Sequence, residues 1–314
     1  MGPIVITGGS GFVGRHLIVE LQKHWPETKI FVWDRTPPLT LAGVSFYPID
    51  ITDPETYIPL LVEQSPQWIV HLAAIASVPY ATEHPEQAQA VNVQGTLHLL
   101  EAIRSTSPDT RMLAVSSADI YGRGSDTPLP ELPLSQATPQ NVYAQSKWEA
   151  EKIIEDQFND QVIRVRPFPH IGPGQAKGFV TADFASQVAA IEREQQSPII
   201  SVGNLESWRD FTDVRDTVRA YRLLMERGTE GQVYHVASGT GVKIQYILDK
   251  LLHLSTATIE VQIDPARQRP SDTPVIIGDA TKLRTQTNWS PTISLDRSLE
   301  DILAWWREQG LKSV

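Results

Sequence analysis

Cysteine is absent from all 314 residues of this sequence. Its absence excludes disulfide bonds, thiol nucleophiles and cysteine-ligated zinc. Eight histidines are present, but none of them falls in an HExxH motif or a comparable ligand spacing. We therefore predict neither thiol chemistry nor a metal site.

Long apolar runs and an excess of positive charge are also lacking. No apolar run approaches the roughly 20 residues that span a bilayer, so no membrane segment is expected. The first strand is predicted to start at residue 3 or 4, which leaves no room for a signal peptide, and we expect a cytoplasmic location. A net charge of −10 argues against general nucleic-acid binding, although local arginines can still bind a small phosphorylated ligand.

Apolar runs and helical patterns alternate through the first half of the chain. The predicted strands are Pro3–Thr7, Lys29–Trp33, Val44–Ile49, Trp68–Leu72, Arg111–Ser116 and Val162–Val165. The predicted helices are Phe12–Lys23, Pro54–Gln64, Gln87–Thr106 and Tyr143–Phe158. This repeated strand–helix–strand order indicates an α/β protein with a doubly wound parallel sheet of the Rossmann type.

The pattern changes after residue 167, where prolines and glycines interrupt it as far as Gly174. Beyond this segment the predicted helices are Ala182–Gln195, Val214–Glu226, Ile244–Leu254 and Leu295–Glu308. Short strands are predicted at Ile199–Val202, Gln232–Val236 and Ile259–Ile263. We therefore expect a Rossmann domain over 1–167 and a smaller α/β substrate-binding lobe over 168–314, with the chain recrossing between them.

A glycine-rich loop, Thr7–Gly14, follows the first predicted strand and opens the first predicted helix. Gly8 permits a tight turn, Gly11 lets the backbone approach a pyrophosphate, and Gly14 lets the helix pack close to the strand. Free N–H groups at the helix N-terminus suit phosphate. The placement predicts a dinucleotide site rather than an ordinary strand–loop–helix connection. Its predicted contacts are Gly8, Ser10, Gly11, Phe12, Val13 and Gly14.

The end of the second predicted strand carries a carboxylate and a guanidinium side by side. Asp34 lies 20 residues after Gly14, where an acidic side chain can accept hydrogen bonds from the adenosine ribose of NAD. Arg35 can instead pair with the 2′-phosphate of NADP. The two residues leave the choice between NAD and NADP open, and Asp34 can also be a turn residue before Pro37.

Further residues at strand ends extend the predicted cofactor site. Asp50 and Ile51 follow the third strand, where a carboxylate can reach the adenine amino group. Small residues after the fourth strand, Leu72–Ala74, would let the cofactor lie against the backbone. Asn92 falls inside a predicted helix, and a buried asparagine needs partners, so we expect it to brace the neighbouring strand.

A tyrosine and a lysine four residues apart, Tyr143 and Lys147, share one face of a predicted helix. A neighbouring ammonium favours the phenolate and lowers the tyrosine pKa, so the pair can exchange protons with a carbonyl or an alcohol. Alone, this spacing also fits a surface pair. Ser117 ends the preceding predicted strand, where its hydroxyl can bond the same substrate oxygen.

These motifs, taken in order, resemble the extended short-chain dehydrogenases/reductases, the NAD-dependent epimerase/dehydratase family. The resemblance rests on TGGSGFVG, Leu72–Ala74, the segment from Ser117 to Gly122 and the YxxxK pair. It implies that Ser117, Tyr143 and Lys147 are catalytic. It also implies cofactor contacts by Tyr143, Lys147, Phe168 and His170.

The second half resembles the GDP-sugar branch of this superfamily, which contains GDP-4-keto-6-deoxyhexose reductases and GDP-mannose 4,6-dehydratases. The resemblance implies that Arg209 binds the sugar-nucleotide pyrophosphate and that Arg269 and Asp272 bind the nucleoside. Arginine suits phosphate because it can bind it bidentately. The substrate contacts implied in this way are Ser117, Asp119, Val180, Asn204, Arg209, Arg269 and Asp272.

Two residues depart from the relatives' pattern. Pro169 stands where relatives usually have asparagine, so substrate binding in that loop must differ. Asp119 stands where many dehydratases have a glutamate that acts at the sugar C5, and Ala118 precedes it. The shorter carboxylate favours simple reduction over elimination without excluding the latter.

We therefore expect an NADPH- or NADH-dependent reduction of the C4 ketone of a GDP-linked 4-keto-6-deoxyhexose, with a product of the GDP-D-rhamnose type. The alternatives are a 4,6-dehydratase or epimerase with tightly held NAD(P), and a non-catalytic protein that senses NAD(P). The resemblance also implies a homodimer through the helices at Gln87–Thr106 and Tyr143–Phe158.

Overall fold

The computed structural model describes residues 1–37, 42–265 and 274–311. Its first half alternates strands with helices. The strands are β1 (Ile4–Thr7), β2 (Ile30–Asp34), β3 (Ser45–Pro48), β4 (Trp68–His71), β5 (Arg111–Val115) and β6 (Val162–Pro167). The helices are α1 (Phe12–His24), α2 (Ile58–Gln64), α3 (Val78–Glu83), α4 (Pro85–Ala88), α5 (Gly95–Thr106) and α6 (Val142–Gln157), with a π-helical segment at Gln89–Gln94.

The second half contains shorter strands and longer connections. Its strands are β7 (His170–Ile171), β8 (Ile199–Val202), β9 (Trp208–Asp210), β10 (Thr212–Asp213), β11 (Val233–Val236), β12 (Gly241–Lys243), β13 (Glu260–Ile263) and β14 (Val275–Ile276). Its helices are α7 (Val180–Glu192), α8 (Val214–Arg227), α9 (Ile244–Leu254), α10 (Thr281–Thr287) and α11 (Leu295–Leu311). Turns of 3₁₀-helix lie at Pro54–Thr56, Ala118–Tyr121, Leu134–Gln136 and Asn159–Gln161.

A seven-stranded sheet in the order β11-β6-β5-β4-β1-β2-β3 forms the centre of the molecule. All of its pairings are parallel. Strands β1, β4 and β6 are buried along their whole length, as expected of a sheet covered on both faces. The prediction of a Rossmann-type doubly wound sheet is therefore confirmed.

The side chains of β1 show how the two faces are filled. Ile4 and Ile6 join the apolar core that contains Leu17 of α1 and Val218 of α8. Val5, between them, joins the opposite core together with residues of α2, α5 and α6. Successive residues of a strand point to opposite faces, and each fully buried aliphatic side chain contributes about 1.5–3 kcal/mol. The sheet thus holds two helical layers apart.

A third apolar core lies in the second half and joins α7, α9 and α11. Parallel pairing of β8 with β13 adds to this lobe, and β12, β9 and β14 form a small mixed sheet. Strand β11, however, pairs with β6 in the main sheet, and α8 packs on α1. The chain thus returns from the lobe to the main sheet, and the division at residue 167 stays a prediction.

Two predicted helices are interrupted. The helix predicted over 87–106 begins earlier, at Pro85, and passes through the π-helical segment before α5. The helix predicted over 54–64 is a 3₁₀ turn followed by α2. Helices α3 and α10 were missed, although Ser77, which caps α3, and Pro79 in its first turn form a recognisable helix start.

Two further findings concern the described ranges. None of their helices is long and apolar enough to cross a membrane. They also contain no group of three or more His, Cys, Asp or Glu side chains arranged to hold a metal ion.

Candidate active site

A cleft of about 1460 Å³ opens where the main sheet's strands end. Parallel strands place their carboxyl ends on one edge of a sheet, and the segments following β1 to β6 all line this cleft. Of the predicted site residues, those that line it are Gly8, Gly11, Phe12, Val13, Gly14, Asp34, Arg35, Asp50, Ile51, Leu72, Ala73, Ala74, Ser117, Asp119, Tyr143, Lys147, Phe168, His170, Val180, Asn204 and Arg209. Arg269 and Asp272 lie outside the described residues.

The glycine loop is shaped by close backbone contacts. Gly8 has a positive φ of 67°, and a Cβ atom there would lie 2.7 Å from the nitrogen of Ala73. A Cβ atom on Gly14 would lie 2.5 Å from Gly9. Helix α1 starts after Gly11 without a side-chain cap, so its first N–H groups remain available to an anion. The loop therefore fits a dinucleotide pyrophosphate.

Asp34 closes strand β2 and is tied to the glycine loop. Its carboxylate accepts a hydrogen bond of 3.0 Å from the backbone N–H of Ser10. The Ser10 hydroxyl donates to the carbonyl of Thr36 at 2.6 Å. Ser10 is not among the residues that line the cleft, and its contact with the dinucleotide stays a prediction. Arg35 is exposed beside Asp34 and lines the cleft.

Strand β3 ends at Pro48, one residue earlier than predicted, so Asp50 lies two residues beyond its end. Its carboxylate accepts from the backbone N–H of Thr52 at 3.0 Å and from the Thr52 hydroxyl at 2.8 Å. The backbone hydrogen bond is the main reason that the pKa of Asp50 lies below its ordinary value. The part of the cleft next to β3 thus holds an ionised carboxylate.

A chain of buried hydrogen bonds supports the wall formed by residues 72–75. The Thr96 hydroxyl donates to the carbonyl of Asn92 at 2.7 Å, so it must accept from His71 Nε2 at 3.1 Å. His71 Nδ1 then accepts from the Thr7 hydroxyl at 2.7 Å, and this hydroxyl accepts from the N–H of Ala73 at 3.2 Å. Burial, assisted by the charge of Lys147, lowers the pKa of His71 to about 3, so the ring is neutral.

Asn92 braces the same wall from the π-helical segment. Its amide oxygen accepts from the N–H of Ile75 at 2.8 Å, and its amide nitrogen donates to the Ile75 carbonyl at 3.1 Å. The amide also donates to the Ser146 hydroxyl of α6 at 2.9 Å. The expected structural role is confirmed, although the braced segment follows β4 rather than belonging to it.

Ser117, Tyr143 and Lys147 meet in the cleft between β5 and α6. Ser117 caps the 3₁₀ turn by accepting from the N–H of Asp119 at 3.1 Å. Asn141 caps α6, which carries Tyr143 and Lys147 on one face. The Lys147 ammonium donates to the carbonyl of Val115 at 2.7 Å. Residues separated by 26 positions in the chain are thus brought to one place.

The titration of the tyrosine differs from the sequence prediction. Burial in the cleft and the charge of Asp119 raise the pKa of Tyr143, while the hydrogen bond with Ser117 opposes them. The prediction of a lowered pKa is therefore wrong for this structure, because spacing on a helix does not show how strongly a phenol is desolvated. Burial lowers the pKa of Lys147 to about 8, and the charge of Glu151 opposes this shift.

A carboxylate and a guanidinium also line the cleft, and the carboxylate, that of Asp119, belongs to the turn that Ser117 caps. Desolvation raises the pKa of Asp119, and the charge of Arg209 opposes the shift. Arg209 donates to the carbonyl of Trp208 at 2.8 Å. Val180 begins α7, and the side chain of Asn204 caps a turn by accepting from the N–H of Glu206 at 2.9 Å.

Aromatic rings occupy the floor below the glycine loop. The ring of His170 stacks on Phe12 with centroids 6.2 Å apart and planes within 7°. Phe168 is buried beside His235. Burial also lowers the pKa of His170.

Sequence reasoning missed several residues that line the cleft. One group follows β4 and includes Ser77, Pro79 and Tyr80 at the start of α3. Another is Tyr221 of α8, which is fully buried and whose hydroxyl has no partner among the described atoms. The α3 start had a sequence signal, but an aromatic residue inside an amphipathic helix carries none.

The sheet topology, the glycine loop and the Ser–Tyr–Lys cleft define the class as an extended short-chain dehydrogenase/reductase. The family model described as GDP-mannose 4,6 dehydratase matches residues 5–302. The chain belongs to this family.

Individual relatives cover nearly the whole chain. A GDP-6-deoxy-D-mannose reductase of Pseudomonas aeruginosa is 34% identical over 98% of this chain and 97% of its own length. A GDP-6-deoxy-D-talose 4-dehydrogenase of Aggregatibacter actinomycetemcomitans is 31% identical, with 89% of each chain covered. The structure of RMD from P. aeruginosa complexed with NADPH superposes with a TM-score of 0.83 and 31% identity, covering 98% of this chain and all of that one.

Thr96→Val tests whether the buried hydrogen-bond chain shapes the dinucleotide site. The substitution leaves His71 Nε2 without an acceptor, which should cost about 1–3 kcal/mol of unfolding free energy. It should also release Ala73 and weaken NAD⁺ or NADP⁺ binding about tenfold, a change of about 1.4 kcal/mol. Isothermal titration and urea unfolding measure the two effects.

Thr110→Val is the matched control. Thr110 is also buried, and its hydroxyl donates to the Pro66 carbonyl at 2.7 Å, away from the cleft. This variant should lose stability but keep its dinucleotide affinity. Equal affinities in both variants would show that the chain of hydrogen bonds serves stability alone.

Proposed function

We propose that the protein reduces the C4 ketone of a GDP-linked 4-keto-6-deoxyhexose with NADPH or NADH. The observation that carries the proposal is the meeting of Ser117, Tyr143 and Lys147 beside a dinucleotide-shaped glycine loop, in a chain similar over nearly its full length to a GDP-6-deoxy-D-mannose reductase. The relative solved with NADPH supports the choice of a nicotinamide cofactor.

The reduction needs a proton donor and a polarising group at the ketone oxygen. The bound reduced nicotinamide supplies the hydride. Tyr143 donates the proton, and Ser117 donates a hydrogen bond to the same oxygen. Lys147 donates hydrogen bonds to the ribose and stabilises the phenolate that remains after proton transfer. A raised Tyr143 pKa keeps the phenol protonated at neutral pH, which suits a donor.

The substrate end of the cleft suits a sugar diphosphate. Arg209 lies across from Asp119 in the cleft and can bind the diphosphate bidentately. Val180 and Asn204 line the same end, and Arg269 with Asp272 is proposed for the nucleoside. Pro169 removes the amide that relatives use in this loop, so the backbone must make those contacts or they are lost.

A 4,6-dehydratase is the second candidate, since the family is named for that reaction and Asp119 places a carboxyl group near Tyr143. Elimination needs a base at the sugar C5 in addition to the tyrosine. Incubating GDP-mannose with enzyme and no added cofactor separates the two reactions, because a dehydratase with tightly held NAD(P) forms the keto sugar and a reductase does not.

The assay mixes enzyme, GDP-4-keto-6-deoxymannose and NADPH or NADH, and follows absorbance of the reduced nicotinamide. We expect oxidation of at least one cofactor. Tyr143→Phe should lower kcat by about 10²- to 10⁴-fold because it removes the proton donor.

Dinucleotide affinity of the Tyr143→Phe variant is the control, and it should remain within a few-fold of wild type. Absence of oxidation with both cofactors would refute the reductase. Full turnover by the phenylalanine variant would refute the role of Tyr143.

Cofactor preference should depend on Asp34 and Arg35 in opposite directions. Asp34→Asn keeps an oxygen for the Ser10 N–H but removes the charge that repels a 2′-phosphate. It should raise the ratio of kcat/KM for NADPH over NADH about tenfold. Arg35→Ala should lower this ratio. Steady-state kinetics with both cofactors checks the pair, and shifts of the same sign would contradict it.

We further propose a homodimer through α5 and α6. Both helices carry partly exposed apolar residues, including Leu97 and Ile153, on the layer that covers the sheet. Sedimentation equilibrium should give twice the chain mass, and a monomer at micromolar concentration would exclude the proposal. The cytoplasmic location stays a prediction.

A further inference from the structure

A buried ion pair lies directly behind the lysine of the active site. Glu151 and Arg166 are each only 1% exposed. Arg166 Nε donates to both carboxylate oxygens at 2.9 and 3.1 Å, and Nη2 donates to Oε1 at 2.5 Å. The carboxylate is therefore held in one orientation by a two-pronged contact.

The pair connects three pieces of the active site. Glu151 lies one helical turn after Lys147 on α6, so both side chains project from the same face. Arg166 is the penultimate residue of strand β6, and its Nη1 donates to the Tyr121 hydroxyl at 2.6 Å. Tyr121 ends the 3₁₀ turn that Ser117 caps. The ion pair thus joins the Tyr–Lys helix to the serine turn.

Packing alone does not account for such a pair. Removing two charges from water costs several kcal/mol per ion, and well-packed apolar residues of the same volume are often equally stable. A second buried charge nearby gives the carboxylate a role, because the Lys147 ammonium is also buried and donates to the uncharged carbonyl of Val115.

We propose that Glu151, oriented by Arg166, is a positioning residue that keeps Lys147 in its ammonium form. The inference rests on the proposed role of Lys147 in the reaction. Glu151 supplies the negative potential that a buried ammonium requires, and Arg166 limits that potential while fixing its direction. The charge of Glu151 accordingly raises the pKa of Lys147, against the burial that lowers it to about 8.

The other titratable groups around Lys147 supply no comparable negative charge that would raise its pKa against the effect of burial. On α6 itself, Tyr143 is held protonated by burial. On β4, His71 is neutral. Arg164 of β6 lies 4.0 Å from Glu151 but is paired with Glu155 at 3.0 Å. In the serine turn, Tyr121 is also protonated because burial raises its pKa. Burial raises the pKa of Asp119 as well, and the positive charge of Arg209 opposes that shift.

Two substitutions in the pair should move the titration of Lys147 in opposite directions. Glu151→Gln leaves Arg166 uncompensated and should lower the Lys147 pKa by about one unit or more. Arg166→Gln leaves the carboxylate uncompensated and should raise it. A merely structural pair predicts a loss of stability in both variants, with no shift or with shifts of the same sign.

Competitive labelling with trace acetic anhydride across pH 6–11, read by mass spectrometry at Lys147, measures this pKa without any sugar substrate. The labelling result therefore tests the role of Glu151 even if the protein does not catalyse the proposed reduction. Where turnover is measurable, the alkaline limb of the kcat/KM profile should move with the labelling pKa, because activity falls as Lys147 loses its proton.

Glu155→Gln is the matched control, since Glu155 lies one turn further along α6 and also pairs with an arginine of β6. It should leave the Lys147 pKa unchanged. Should Glu151→Gln not fold, the double variant Glu151→Gln/Arg166→Gln removes both buried charges, and its Lys147 pKa should fall below that of Arg166→Gln. An unchanged Lys147 pKa in the Arg166→Gln and double variants would overturn the proposal.

Discussion

Parallel strand direction is the constraint on which the rest of this structure depends. Because all seven strands of the main sheet run the same way, the segments that follow β1 to β6 meet at one edge. Those segments can approach closely only where side chains are small, as at Gly8 against Ala73. The same sheet topology therefore places the cleft, the glycine loop and the serine turn at one edge.

Desolvation then decides the proton chemistry of the cleft. The chain carries a net charge of −10, yet the pKa values of Tyr143 and Lys147 depend on burial and on a few nearby charges. Burial and the charge of Asp119 keep Tyr143 protonated. Burial also lowers the pKa of Lys147 to about 8. A protonated phenol beside a readily available ammonium suits reduction, because the phenolate formed after proton transfer is stabilised at once.

Patterns in the sequence predicted the layers of the fold well but predicted its irregularities poorly. Ile199–Val202 and Ile244–Leu254 have the predicted bounds, because apolar periodicity is strong in both. The two- and three-residue strands β7, β9, β10, β12 and β14 exist only through tertiary pairing, and the π-helical segment, in which Asn92 hydrogen-bonds Ile75, has no signal in the sequence pattern. Most of the residues predicted from strand ends and motifs do line the cleft. The roles of His71 and Tyr221 and the direction of the Tyr143 pKa shift depend on burial, which residue spacing does not encode.

The two relatives are named for different 6-deoxyhexoses, mannose in one and talose in the other, and these two sugars are epimers at C4. In the proposed reaction Ser117, Tyr143 and Lys147 act at the ketone oxygen, and a hydride and a proton are delivered whichever epimer results. Product stereochemistry must then depend on how the sugar is held relative to the sheet. In the proposed substrate site that task falls to the residues around Arg209, which lines the cleft together with Val180 and Asn204. Asp119 links the two tasks, because the charge of Arg209 acts on Asp119 and the charge of Asp119 raises the pKa of Tyr143.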